Sequence, residues 1–118
     1  MKKIIFGLLV GVFFSLPLQI IYAADLSKQE IIQIAIKEFE NKGGRIQDRV
    51  IIYDVNNGQW ERGFSALDPE MAKKFEFLQD KDYQVVLLKL KPKPGLEGSN
   101  VWVFVDRITG IALAVYRE

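Results

Sequence analysis

The acids that could work in pairs are Asp54 with Glu61 and Asp80 with Asp82. Two carboxylates facing across a cleft can divide the labour of acid, base and nucleophile, as in glycoside hydrolysis. Each of these four reads instead as part of a turn or an element end, where acids serve capping and solvation. The "DKD" at 80–82 is too short for a calcium loop. The chain has no histidine and no cysteine, which removes a Ser-His-Asp triad, a cysteine nucleophile and histidine-based zinc sites. No dinucleotide fingerprint, phosphate-binding loop or EF-hand spacing occurs in it. The expectation is a protein that is not an enzyme and uses neither cofactor nor metal.

Binding chemistry has better candidates. Lys89, Lys91 and Lys93 fall at every second position, which a strand would place on one face. Such a row can recognise a partner, or it can keep an edge strand from aggregating. The glycine-bearing stretch "PGLEGSN" follows, with Gly95, Leu96 and Glu97 at its centre. Long connections on a rigid scaffold are common carriers of function. Trp102 and Phe104 alternate with Val101, Val103 and Val105, giving one aromatic and one aliphatic face. If the aromatic face were exposed it would form a contact patch. Trp60 reads as core.

These residues need elements to position them. "DLSKQEIIQIAIKEFENKGG" predicts one amphipathic helix: Ser27 and Glu30 form a capping box, and Leu26 can staple onto Ile31. Ile31, Ile32, Ala35, Ile36 and Phe39 recur at helical spacing, and Gly43-Gly44 ends the run. "RVIIYDV", residues 49–55, predicts a strand closed by Asn56-Asn57-Gly58. Asn57-Gly58 could turn a hairpin into "QWERGF". The alternative is a helix capped by Asn57, since Trp60, Phe64, Leu67 and Met71 share one helical face. Asp68 followed by Pro69 marks a second helix start, so one or two short helices are expected across 58–78.

"DYQVVLLKL" is apolar on both faces, as a central strand is, and Pro92 and Pro94 end it. The closing "VWVFVDRITGIALAVY" predicts a hairpin over 101–106 and 111–116. Its "DRITG" fits a type I turn with Gly110 left-handed in a bulge. Asp106 is expected to accept backbone N–H groups inside that turn, a structural duty. The fold class expected is α+β: the N-terminal helix on one face of an antiparallel sheet of three or four strands, with a short helical insertion between strands.

The N-terminus has a different character. Lys2 and Lys3 precede an apolar run from Ile4 to Leu16, Pro17 breaks it, and small residues surround Ala23. This layout predicts a secretory signal peptide over 1–23. The rival reading is a membrane anchor, but Pro17 and Gln19 leave the run shorter than the ~20 apolar residues a spanning helix needs. Cleavage would leave one domain, residues 24–118, periplasmic or secreted and without a stable membrane anchor. The leader carries two of the 16 Lys+Arg and none of the 15 Asp+Glu, so 14 bases would face 15 acids, a net charge of −1. That balance lacks the basic excess of nucleic-acid binders.

The helix "LSKQEIIQIAIKEF", the middle strand and the closing "VWVFVDRITGIALAVY" hairpin resemble two groups of proteins. One is the small bacterial immunity proteins described as having a nuclear-transport-factor-like fold, whose hairpin similarly runs from "PG" into "VFVD..TG". The other is the PepSY domains, a helix against an antiparallel sheet ending in a "vD..tG" hairpin. The helical insertion over 58–78 suits the first pattern better. The resemblance implies a binding protein that neutralises a partner in the cell envelope: a toxin in the first case, a peptidase in the second. A small-ligand binder with a pocket between helix and sheet is the alternative, as cone-shaped folds of this kind often have one. Lys89, Lys91, Lys93, Gly95, Leu96, Glu97 and Trp102 are the expected partner contacts.

Overall fold

The structure, a computed structural model, describes residues 25–118. The expected leader over 1–23 lies outside the described residues. Helix α1 spans Lys28–Asn41, strand β1 Arg49–Tyr53, helix α2 Gly58–Phe64 and helix α3 Pro69–Lys74. Strands β2 (Tyr83–Leu90), β3 (Val101–Asp106) and β4 (Ala112–Arg117) follow. The sheet runs in the order β1-β2-β3-β4 with every pair antiparallel. The fold class is α+β, as the alternation of sequence patterns predicts.

Helix α1 begins where the capping box places it. Ser27 Oγ accepts from Glu30 N–H, and Glu30 Oε1 accepts from Ser27 N–H. Its apolar stripe, Ile31, Ala35 and Phe39, is buried against Val86, Leu88, Val101, Val103 and Val105. Strand alternation sends the other residues of β2 and β3 to the opposite face. The sequence reading leaves that face open, and the helical insertion covers it. Trp60, Phe75 and Leu78 pack there on Val85 and Phe104, with Phe64, Leu67, Met71, Tyr83, Trp102 and Tyr116 around them. The protein therefore has two cores, one on each face of the sheet, and no exposed aromatic face on β3.

A buried polar hinge holds the insertion in place. Asp54 is 2% exposed, and its two carboxylate oxygens accept from Gln59 N–H and Trp60 N–H, each at 2.9 Å. Asp54 thus caps α2, the role the sequence assigns to Asn57. Asn57 instead donates from Nδ2 to Tyr83 C=O and accepts Val85 N–H at Oδ1. Gln84 Nε2 donates to Asp54 C=O at 2.7 Å. Asn56 and Asn57 both sit left-handed, with φ of 56° and 55°, a region asparagine tolerates better than most residues. This double reversal ends β1 at Tyr53 and swings the chain across to the second face.

The closing hairpin differs from its expected form in one respect. Gly110 is left-handed, φ +76°, and Asp106 Oδ1 accepts from Ile108 and Thr109 N–H. The turn closes through Gly110 N–H onto Asp106 C=O, with Asp106 N–H donating to Ile111 C=O, so Gly110 and Ile111 together face Asp106 in the expected bulge. The difference is a further irregularity in the pairing, where Phe104 faces Ala114 but Val105 faces Ala112. Leu113 is the extra residue there, and β4 starts at Ala112 rather than Ile111.

Candidate functional site

The connection 91–100 crosses one end of the sheet, and its ends are tied down. Leu90 N–H donates to Asn100 Oδ1 at 3.0 Å, and Glu118 N–H donates to Asn100 C=O at 3.1 Å. Lys91 N–H donates to Asp48 C=O at 2.9 Å, prolonging the β1–β2 pairing by one step. Arg49 reaches over from β1 and donates from Nη1 to Ser99 C=O. Between these ties Gly95 and Gly98 take φ of +86° and +135°, which only glycine adopts at little strain. Pro92, Lys93, Pro94, Gly95, Glu97 and Gly98 are exposed, while Leu96 is half-buried. The result is a pinned loop with a presented tip.

The expected contact residues do not all meet on this loop. Strand β2 ends at Leu90 and Lys91 prolongs its pairing by one step, so the alternation that would align Lys89, Lys91 and Lys93 is broken before the third, whose N–H donates to Lys91 C=O. Lys89 is exposed on β2, a central strand, opposite Val50 of β1. Trp102 belongs to the second core, with its ring centroid 5.6 Å from that of Trp60. Gly95, Leu96 and Glu97 stay together at the tip, with Lys93 beside them. Asp106 and Gly110 lie in the β3–β4 turn. Of the acids singled out in the sequence, Asp54 is committed to the start of α2, and Glu61 Oε2 accepts the Tyr83 hydroxyl at 2.8 Å. Burial first, and that bond second, push the Tyr83 hydroxyl well above its ordinary value.

Sequence reasoning missed a basic cleft at the foot of the loop. Arg49 starts β1 and Arg117 ends β4, the two outer strands of the sheet. Arg49 pairs with Leu90, and Arg117 with Val101, so both leave the same end on the α1 face. Their guanidinium carbons lie 5.1 and 6.0 Å from the centroid of the Phe39 ring, which α1 delivers between them. Gly44 permits this, because a Cβ there would lie 2.3 Å from Phe39 Cζ. The cleft holds about 460 Å³ and is also lined by Lys42, Arg45, Asp48 and Glu97. Nothing in the local sequence marks Arg49 or Arg117, since only the sheet order brings them to one ring.

A second cavity, about 260 Å³, opens between α2 and the sheet, lined by Trp60, Gly63, Ala66, Leu67, Trp102, Tyr116 and Glu118. The Trp102 indole Nε1–H is buried and meets no acceptor among the described residues. A third, beside Glu61 and Tyr83, holds only about 50 Å³, room for little beyond water. No group of three or more potential metal ligands occurs among the described residues. No helix among them is long and apolar enough to cross a membrane. Compared with protein-family models, curated proteins and solved structures, the chain matches none.

Proposed function

We propose that this is an exported, non-enzymatic binding protein that holds a partner protein in the cell envelope, periplasmic or secreted. Its role is that of an inhibitor or immunity protein, with a toxin as the partner. The observation that carries the reading is the pinned loop. A segment ordered by four separate ties presents a fixed surface and loses little conformational freedom on binding. The likeness of the hairpin and helix to immunity proteins supports the toxin as target, and the PepSY likeness offers a peptidase in its place. Lys93, Gly95, Leu96 and Glu97 form the contact, with Lys91 at its base. Lys89 and Trp102 belong to the scaffold.

The test is capture by immobilised residues 24–118 of proteins encoded beside this one, with the double charge reversal Lys93→Glu, Glu97→Lys run in parallel. One stoichiometric partner, lost on reversal at the tip and kept on reversal of the distant Lys73, is the expected result. Binding undiminished by the tip reversal contradicts the reading.

The cavity under α2 favours a second reading, a small-ligand binder. Its aromatic walls suit a flat apolar ligand, and the unpaired indole N–H nearby is a donor that a ligand acceptor or water would satisfy. Native mass spectrometry of the purified protein decides it. A bound mass that disappears in Ala66→Trp supports the pocket, and bare protein in both samples removes it.

A further inference from the structure

We propose that Arg49 and Arg117, converging on Phe39, form an oxyanion-binding site that takes a carboxylate or phosphate group in the cleft between α1 and the loop. Four cations line the cleft, Lys42, Arg45, Arg49 and Arg117, against the two acids Asp48 and Glu97. Lys42 pairs with Glu38 at 3.1 Å and Arg45 with Asp48 at 3.3 Å. Arg49 and Arg117 are left without a carboxylate oxygen within 4.0 Å among the described residues.

Two guanidinium groups held toward one ring repel each other unless an anion joins them. Burial, and next the charge of Arg117, lower the Arg49 pKa, while Asp48 opposes them. The carbonyl end of α1 and the face of Phe39 ease this crowding without matching a guanidinium's capacity for paired N–H donation. Both hydrogen bonds of Arg49 run through Nη1, to Leu88 and Ser99 carbonyls. Its Nε is buried with no acceptor. Arg49 Nη2 and the Arg117 guanidinium make no hydrogen bond among the described residues, so the site has donors and positive charge in hand, placement from two strands, and open volume in front. Arginine forks of this kind suit planar carboxylates and phosphates equally. The proposal stands beside the loop reading and does not rest on it.

The test is a titration of the full chain, uniformly ¹⁵N-labelled, with N-acetylglutamate and, separately, inorganic phosphate at constant ionic strength. Saturable shifts of the Arg49 and Arg117 Nε–H resonances are expected. Arg117→Gln, which breaks no hydrogen bond of the fold, should weaken binding roughly tenfold or more, and Glu97→Gln should tighten it. Preference for N-acetylglutamate assigns the site to acidic side chains of a partner, and preference for phosphate to a free or esterified phosphate. Non-saturating shifts with both probes, or an unchanged titration in Arg117→Gln, would overturn the proposal. Because the readout is at the cleft, capture by the loop tip can succeed or fail independently.

Discussion

Trp60 meets Phe104 edge-to-face, ring centroids 4.7 Å apart and planes at 76°. That contact joins the helical insertion to the centre of β3. Trp60 is also within 5.7 Å of Phe64, 5.5 Å of Phe75 and 5.6 Å of Trp102, centroid to centroid. The second core is therefore an aromatic cluster built around one side chain, and α2 exists to deliver it. The buried carboxylate of Asp54 sets where α2 begins, so a polar hinge and an aromatic anchor fix the insertion together.

Asp54→Ala leaves the N–H groups of Gln59 and Trp60 without acceptors at the buried start of α2. The expected loss is about 2 kcal/mol or more, read as a lowered urea midpoint at unchanged m-value. Near-UV circular dichroism should weaken with it, because Trp60 loses its fixed orientation. A midpoint equal to that of the parent protein contradicts the hinge.

Two glycines make an opposed pair. Gly44→Ala puts a methyl group 2.3–2.5 Å from the Phe39 ring atoms, so the ring must move, at about 1–3 kcal/mol for overpacking. Gly63, within α2, has nothing within 4 Å of its would-be Cβ. There Ala should stabilise, by up to about 1 kcal/mol, through helix propensity. Thermal melts of both variants check the signs, and a tolerated Gly44→Ala would show that Phe39 is not clamped.

Gly110→Val places a β-branched residue at φ +76°, with Cβ 3.1 Å from Ile34 Cδ1 and 3.2 Å from Leu26 Cδ1. Backbone strain and crowding act in the same direction, so more than ~1 kcal/mol should be lost. An unchanged melting temperature contradicts the left-handed assignment.

Stability should respond to pH at both extremes. The Tyr83 pKa is raised in the fold by burial and then by its bond to Glu61. Its neutral form therefore contributes stability in full below the unfolded value of about 10, and that contribution fades as pH rises beyond it. Asp106 is shifted the other way, first by the Thr109 N–H and then by that of Ile108. Its contribution is present above the unfolded value of about 4 and is lost as pH falls. Denaturation midpoints across pH check both: Tyr83→Phe should flatten the alkaline limb, and Asp106→Asn the acid one.

What the sequence made legible was local. The capping box at Ser27 and Glu30, the left-handed Gly110 and the Asp68-Pro69 helix start all act within a few residues, and each is where the pattern puts it. Long-range placement was not legible. Nothing near Trp60 says that its helix crosses to the second face, because the crossing depends on Asp54 and Asn57 finding partners on β2 and α2. The lysine row ends before Lys93 because the chain folds back on itself there, Lys93 N–H donating to Lys91 C=O. Arg49 and Arg117 carried no signal at all, since they meet only through the order of four strands.

The most direct measurement is hydrogen exchange on the protein with and without its captured partner, resolved to single amides. Binding through the pinned loop should slow exchange at Lys93–Gly98 and leave amides around Trp60 and Tyr116 unchanged. Slowing confined to the α2 side, with the loop exchanging as in the free protein, would contradict the account.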